Sequence, residues 1–219
     1  MNLDSHPQSP QRSTFRQKAR DERRRLILQA AEEVFSTSGY HEASLNEIAQ
    51  RSGLAVGTIY LHFADKADLY GILVMEKMKE VVSRLEEALT SDAAAGKCLR
   101  AAVHSQFSFH DANRTFFEIF LHQHQLQSSP LHERQWEEME KLKRRNLSAI
   151  EECIARGQTR GELLPGDPKL YAVAFLGMTL QMIRQWIRER DPGRLTDLAD
   201  FAADCFLHGA ARPSSQIVK

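Results

Sequence analysis

Apolar residues recur along most of the chain at the three- and four-residue spacing of one face of an α-helix. The first stripe consists of Ile27, Ala30, Ala31, Val34 and Phe35. Gly39 follows at the position where a left-handed residue would end the helix. Comparable stripes run through the rest of the sequence, with no alternating strand pattern or hairpin turn between them. The pattern therefore predicts an all-α fold.

Capping residues and prolines predict where several helices begin. Asp65 is a good N-cap for a helix that starts near Lys66. The pairs Ser129-Pro130 and Asp167-Pro168 each combine an N-cap side chain with a proline suited to the first helical position. They predict two further helix starts. Between these signals, the run FFEIFL at 116–121 is apolar nearly all round, which is typical of a buried helix.

The stretch from Ser44 to Phe63 predicts two short helices joined by a tight turn. Ser44 and Glu47 form the S-x-x-E pattern of a capping box, in which each side chain bonds the backbone N–H of the other residue. Gly53 lies just past the first helix, where a left-handed residue is favoured. A second helix then runs from about residue 56 to residue 62. This arrangement is a helix-turn-helix motif, whose second helix enters the major groove of DNA.

The outward face of the second helix favours the same function. Ile59 and Phe63 share the face that would pack on the core. The remaining side chains point outwards or lie at the edges of that face, and they are Val56, Gly57, Thr58, Tyr60, Leu61 and His62. A helix exposed only to water would carry lysine and glutamate, whereas these side chains suit close contact with phosphates and base edges. A short buried helix of an enzyme is the alternative interpretation.

The segment GLAVGTIYLHFADKADLY, with LNEIA and AAEEVFSTSGY before it, is similar to the DNA-binding domain of TetR-type (tetracycline-repressor-like) transcriptional regulators. The resemblance covers roughly residues 24–73 without a gap. It implies about nine helices, arranged as an N-terminal three-helix helix-turn-helix domain and a larger helical domain for ligand binding and dimerisation. It also implies DNA-backbone contacts from Ser44 and Lys66. The family often has Ser or Thr at Ala55 and Lys or Arg at Val56, so this chain departs from the pattern there.

The charge distribution agrees with DNA binding through one end of the chain. The formal net charge is zero, but residues 1–25 hold seven basic side chains against three acidic ones. We expect residues 1–20 to form a disordered basic arm, 21–66 the DNA-binding domain, and 67–212 the effector-binding and dimerisation domain. The arm could follow phosphates or reach a minor groove, and a merely solvated tail is the alternative.

The cysteines and the hydropathy indicate a cytoplasmic protein without a membrane partner. The three cysteines are Cys98, Cys153 and Cys205, which are widely separated and form no C-x-x-C motif. We expect them to be reduced thiols. The N-terminus lacks an apolar signal core, and the longest apolar stretch, 170–183, is too short to span a bilayer.

Five histidines crowd the middle of the sequence, at positions 104, 110, 122, 124 and 132. Their spacing matches no zinc motif, and no nucleophile elbow, phosphate loop or dinucleotide fingerprint is present. The sequence thus predicts no enzyme, no cofactor and no metal site. Two alternatives stay open. The same fold could sense a metal or the redox state through its histidines or cysteines, or a helical protein of this fold could have lost DNA binding.

The resemblance implies an effector pocket between the middle helices of the larger domain. The candidate lining residues are His104, Phe107, Phe116, Phe117, Phe120, His124, Trp136, Met139, Met178 and Met182, with Gln106 and Gln181 as further polar groups. Core packing and a dimer interface are the alternative role for most of them. The resulting hypothesis is a repressor released from a palindromic double-stranded operator by a small hydrophobic effector. The last two helices would form the homodimer, since a two-fold dimer reads a palindrome.

Overall fold

A computed structural model describes residues 10–125, 131–190 and 193–210, and the side chains of 14–121, 131–190 and 193–209. The described residues contain nine α-helices, a short 3₁₀ helix and no strand, which confirms the all-α prediction. The helices are α1 (Pro10–Glu42), α2 (Leu45–Ser52), α3 (Val56–Tyr60), α4 (Lys66–Leu89), α5 (Ala95–Ala112), α6 (Arg114–Gln125), α7 (Glu133–Thr159), α8 (Pro168–Arg188), the 3₁₀ helix (Leu195–Leu198) and α9 (Ala199–Ala210).

The chain divides into two compact units, Met1–Leu73 and Val74–Lys219. The division falls inside α4, whereas the sequence places it between residues 66 and 67. Because α1 begins at Pro10, residues 10–20 are helical, and the expectation of disorder is wrong for them. Residues 1–9 of the expected arm lie outside the described residues.

The first unit is built on the apolar stripe of α1. Its five residues are all buried, as the spacing predicts. Gly39, at φ 76° and ψ 172°, interrupts the helical backbone of α1 where the sequence predicts an end. α1 packs on α2, and α2 on α3. The first turns of α4 join this core, since the Tyr70 ring lies 5.2 Å from that of Phe35 and 5.0 Å from that of Tyr40.

The second unit is a bundle in which α7 and α8 pack side by side, and α5 contacts α7, α9 and the 3₁₀ helix. Its fully buried side chains include Leu99, Val103, Phe107, Ile150 and Phe175. None of the described helices is both long and apolar enough to cross a membrane.

Two of the three predicted helix starts are confirmed. The N–H of Asp68 donates to Asp65 Oδ1 at 2.7 Å, and that of Lys169 donates to Asp167 Oδ1 at 2.9 Å. The start predicted at Pro130 is wrong, because α7 begins at Glu133. There, the backbone N–H of His132 donates to Gln135 Oε1 at 2.8 Å, which holds the first turn together. Ser129-Pro130 lies outside the described residues.

Candidate nucleic-acid interface and ligand cavity

The turn between α2 and α3 has the backbone geometry that the sequence predicts. Ser44 Oγ accepts a hydrogen bond from the N–H of Glu47 at 3.1 Å, which caps α2. The Glu47 carboxylate faces Arg51 at 3.8 Å, so only one half of the expected capping box is formed. Gly53 is left-handed at φ 69°, and the N–H groups around it bond the last carbonyls of α2. The chain therefore enters α3 with a fixed direction.

α3 presents its outward face to solvent. Ile59 and Phe63 are buried, as the helical spacing predicts. Tyr60 is 58% and Leu61 78% exposed, although the helix ends at Tyr60 and Leu61 lies in the following turn. The other predicted contacts also reach the surface: Ser44, Val56 and Gly57 are exposed, and Thr58 and His62 are half-buried.

Gly57 has no packing role within its own unit. A Cβ atom added to it would meet no described atom within 4 Å, and its backbone is not in the left-handed region. A glycine inside a helix costs roughly 0.5–1 kcal/mol relative to alanine, so its presence needs another reason. Close approach of an external surface to this turn of α3 is such a reason.

Arginines of α1 place positive charge around the end of α3. Burial lowers the pKa of His62, and three nearby cations of α1 lower that pKa further; they are Arg20, Arg23 and Arg24. Arg24 also lies 5.9 Å from the centre of the Phe63 ring. Positive charge beside an exposed helix of small and hydrogen-bonding residues suits a phosphate backbone. The predicted DNA contacts do not include Arg23 and Arg24, although their spacing from Arg20 indicates one face of α1.

Lys66 has an internal role. Its ammonium donates to the backbone oxygens of Tyr40 at 2.8 Å, His41 at 3.0 Å and Ala43 at 3.0 Å. It also lies 4.7 Å from the centre of the Tyr40 ring. An ammonium has three N–H donors, and three carbonyls occupy them here. Lys66 therefore joins the end of α1 to α4, and the expected phosphate contact would require some of these bonds to break.

The second unit encloses a cavity of about 310 Å³, within the range of ligand pockets. Its wall is formed by α4, α5, α6, α7 and α8. The described lining residues are Met78, Val81, Val82, Leu85, Gln106, His110, Phe117, Phe120, Leu121, Trp136, Met139, Leu142, Lys143, Asn146, Leu176, Leu180, Ile183, Arg184 and Ile187. Most are apolar, and both charged ones, Lys143 and Arg184, are cations.

Three buried polar side chains interrupt this apolar wall: Gln106, His110 and Asn146. His110 Nδ1 lies 2.7 Å from the backbone oxygen of Gln106. Because a carbonyl oxygen only accepts, Nδ1 carries the hydrogen. Burial lowers the pKa of His110 to about 4, so the ring is neutral at neutral pH. The ring also packs against that of Phe117 at a centroid distance of 4.3 Å and a tilt of 31°, which restricts its orientation.

The cavity contains some of the predicted effector residues and not others. Phe117, Phe120, Trp136, Met139 and Gln106 line it.

The others lie elsewhere. Phe107 and Phe116 belong to the buried core, and His104 lies on the surface with Nε2 3.0 Å from Asp200. Met178, Met182 and Gln181 line a separate depression beside Trp186. The side chain of His124 lies outside the described residues.

The sequence-based list contains no residue of α4 and neither of the two cations, and from α8 it names residues other than those that line the cavity. Leu176, Leu180, Ile183 and Ile187 follow one another at three- and four-residue spacing on α8, and this stripe is visible in the sequence. Nothing in the sequence distinguishes a stripe that faces a cavity from one that faces a packed core.

The outer faces of α8 and α9 expose large apolar side chains. Leu170 is 68%, Val173 50% and Phe201 62% exposed. Gly177, which is exposed one turn after Val173 on α8, would accept a Cβ atom without meeting any described atom within 4 Å. Exposed apolar side chains that form a continuous patch are typical of binding surfaces, including those between protein subunits.

Two of the three thiols lie against each other in the core. Cys98 and Cys153 are buried, while Cys205 is exposed. Burial and the neighbouring Cys98 raise the pKa of Cys153 to about 11, so it is a thiol at neutral pH. Because the thiolate is the reactive species, this environment disfavours rapid oxidation. No three described His, Cys, Asp or Glu side chains are placed to share a metal ion.

Two family models match the sequence. Residues 27–71 match the model described as bacterial regulatory proteins, tetR family. Residues 92–210 match the model described as tetracyclin repressor-like, C-terminal domain. The second match alone covers more than half of the 219 residues. The first match covers the helix-turn-helix, and the second covers α5 to α9, which supply all of the cavity lining except the residues of α4.

The chain is also similar to characterised proteins and to solved structures. The fatty acid metabolism regulator protein of Bacillus subtilis (strain 168) is 27% identical over 184 residues, which are 84% of this chain and 93% of that protein. The HTH-type transcriptional activator FasR of Mycolicibacterium smegmatis is 41% identical over 103 residues, 45% of this chain and 47% of that protein. The structure of the transcriptional regulator FadR from Bacillus subtilis in complex with stearoyl-CoA superimposes with a TM-score of 0.70 at 26% identity, over 84% of this chain and 97% of that one.

Proposed function

Because this chain belongs to the tetR family of bacterial regulatory proteins, we propose that it is a homodimeric repressor that leaves a palindromic operator when an acyl ligand fills its cavity. Members of the family are DNA-binding regulators of transcription that respond to ligands. Repression, the palindrome and the acyl ligand are the proposed parts. Such a protein would act in the cytoplasm, where its DNA lies.

The outward face of α3 carries the DNA-binding part of the proposal. It combines a glycine without an internal packing role, an exposed tyrosine and nearby arginines. In this proposal Thr58, Tyr60 and His62 face the major groove, while Ser44 lies on the backbone. Val56 and Leu61 make apolar contacts.

Repeated selection from a pool of random duplexes tests the DNA-binding part. A two-fold dimer is expected to enrich palindromes whose half-sites are one helical turn apart, about 34–36 Å. Recovery of a single, non-palindromic half-site would contradict the dimeric arrangement. No enrichment at all would favour a helical protein that has lost DNA binding.

The wall of the cavity supports an acyl chain with an anionic head. Apolar side chains from four helices, α4, α6, α7 and α8, would contact the chain, and Lys143 and Arg184 would attract the head. Lys143 pairs with Glu140 at 2.6 Å, but both side chains are exposed, and such pairs contribute little to stability. The pair can therefore yield to a ligand anion. The stearoyl-CoA in the similar FadR structure agrees with this ligand class.

Tryptophan emission offers a direct test of the ligand. Trp136 lines the cavity, so stearoyl-CoA should change its emission, whereas coenzyme A without an acyl chain should not. The operator titration is then repeated at saturating ligand. Coupling in proteins is typically about 1–3 kcal/mol, so operator affinity should fall roughly 5- to 150-fold. Binding that leaves operator affinity unchanged would refute release by this ligand.

A space-filling variant provides the control. Phe120→Trp should block the ligand while operator binding is retained, because Phe120 lines the cavity and lies far along the chain from α3. If Phe120→Trp binds stearoyl-CoA as tightly as the wild type, the cavity is not the binding site.

A further inference from the structure

A polar group without a partner lies in the wall of the cavity. The side chain of Asn146 is 9% exposed, and its Oδ1 has no hydrogen-bond partner among the described residues. A buried amide oxygen that is left unpaired destabilises the protein, because it has lost its hydration and gained no hydrogen bond in return. Since Asn146 lines the cavity, a bound ligand can supply the missing partner.

His110 offers a second acceptor to the same cavity, from helix α5. Its Nδ1–H is used by the backbone oxygen of Gln106 at 2.7 Å. In the neutral ring the other nitrogen, Nε2, can only accept. A donor on the ligand would therefore find acceptors on both α5 and α7.

Asn146 lies near one of the two cations of the cavity wall. Lys143 precedes Asn146 by three residues on α7, so both side chains lie on one face of that helix. Three residues correspond to about 4.5 Å along a helix axis. An anionic or thioester end held near Lys143 would thus bring the first few carbons of the chain beside Asn146.

We propose that the ligand carries a hydroxyl group within a few bonds of its head, as a 3-hydroxyacyl chain does, and that Asn146 and His110 recognise this hydroxyl. The proposal rests on the acyl ligand proposed above. A hydroxyl both donates and accepts, so it can donate to Asn146 Oδ1 or His110 Nε2 and accept from the Asn146 amide N–H. The apolar wall contacts substituted and unsubstituted chains alike, so the hydroxyl decides the preference.

Three ligands of equal length test the proposal on the full-length wild-type protein. They are stearoyl-CoA, 3-hydroxystearoyl-CoA and 12-hydroxystearoyl-CoA, titrated against tryptophan emission. The 3-hydroxy chain should bind about five- to tenfold more tightly than the unsubstituted chain, the usual gain from one satisfied buried hydrogen bond. The 12-hydroxy chain should show no gain, because its hydroxyl would meet the apolar wall. Equal affinity for the 3-hydroxy and the unsubstituted chain would overturn the proposal.

A matched pair of variants locates the recognition. Asn146→Leu keeps the size of the side chain but removes the amide, so it should bind stearoyl-CoA and lose the preference for the 3-hydroxy chain. Leu142→Met, one turn away in the same wall, should keep the preference. A preference that survives in Asn146→Leu would exclude Asn146 as its source. If the wild type binds none of the three ligands, the acyl ligand itself is refuted. Binding without preference refutes only the hydroxyl.

Discussion

The outward face of α3 and the cavity of the second unit each contain a residue that the packing of its own unit does not explain. Gly57 is exposed, and no described atom lies close enough to exclude a larger side chain there. Asn146 is buried, and its amide oxygen has no partner among the described residues. Gly57 suits a large partner that approaches from outside, whereas Asn146 suits a small molecule bound in the cavity.

This difference has an energetic consequence. Side chains on the outward face of α3 contribute little to packing, so their replacement can change binding without changing stability. Cavity residues also support the bundle, so their replacement changes both. The contrast can be tested residue by residue.

The largest effect is expected at two adjacent residues of α3. Ile59 is fully buried and Tyr60 is mostly exposed. Ile59→Ala should destabilise the first unit by about 2–5 kcal/mol, because it leaves a cavity in a small core. Tyr60→Ala should change the free energy of unfolding by less than about 0.5 kcal/mol but weaken operator binding by about 1–3 kcal/mol if its contact is direct. Urea unfolding and operator anisotropy measure the two quantities. An unchanged operator affinity in Tyr60→Ala would remove it from the interface.

The second-largest effect is a loss of stability in acid, when His110 in the cavity wall takes up a proton. The pKa of His110 in the folded protein is about 4, below its ordinary 6.5, so the unfolded chain binds a proton more readily. The stability that neutral His110 contributes is therefore complete above pH 6.5 and is lost as the pH falls towards 4. Between pH 7 and pH 5 the loss should be about 2 kcal/mol.

His110→Phe, which cannot take up a proton, isolates this contribution from that of the carboxylates. Its free energy of unfolding should fall less than that of the wild type over the same interval. Tryptophan emission follows the second unit, which contains both Trp136 and Trp186. Parallel pH profiles for the two proteins would argue against a neutral, buried imidazole.

The arginines of α1 should affect the salt dependence of binding more than the stability. If Arg20, Arg23 and Arg24 meet phosphates, replacing each by glutamine should reduce the log–log salt slope by about 0.9, the amount expected when one phosphate is no longer neutralised. Arg25→Gln is the matched control, since Arg25 already bonds Glu22 at 2.6 Å and 2.9 Å. Equal slopes for the control and the three test variants would mean that this face of α1 is only solvated.

The smallest effects are expected for Gly57→Ala, which should raise the stability of the first unit and lower its affinity for the operator. Gly57→Ala should stabilise the first unit by roughly 0.5–1 kcal/mol, because alanine has the better helix propensity and free space for its methyl group. The same methyl group should weaken operator binding if DNA approaches the backbone there. Gly96→Ala on α5 is a control for the gain in stability, since an added Cβ atom would meet only the Leu207 side chain, at an ordinary 3.6 Å, and it should leave operator binding unchanged. A Gly57→Ala protein that gains stability and keeps full affinity would show that no surface approaches this turn closely.

The outward face of α3 could be predicted from the sequence because its determinants are local. Ser44, Gly53 and Asp65 act on backbone groups within a few residues, and Ile59 and Phe63 are separated by one turn. The internal role of Lys66 could not be predicted in the same way. Its ammonium bonds carbonyls more than twenty residues earlier in the chain, and a local pattern does not reveal such contacts.

The cavity depends on contacts between five helices, and the spacing of apolar residues within each helix does not reveal these contacts. Phe107 and Phe117 have the same side chain in similar helical patterns, yet Phe107 lies in the packed core and Phe117 borders the cavity. Asn146 lies among charged residues of α7 in the sequence, a pattern that is typical of a solvated position. Only the packing of α7 against its neighbours buries it.

The three bonds of Lys66 determine how the protein can be dissected. A fragment cut after residue 66 would retain the ammonium but lose Leu69 and Tyr70, which are buried against α1. Without Leu69 and Tyr70, the first turn of α4 would lose the packing that positions Lys66 beside the three carbonyls. A fragment that extends through Leu73 keeps both the ammonium and its support. The minimal portable DNA-binding module for fusion to another sensor therefore extends past Lys66 into α4, and its last turns come from a helix whose later turns belong to the second unit.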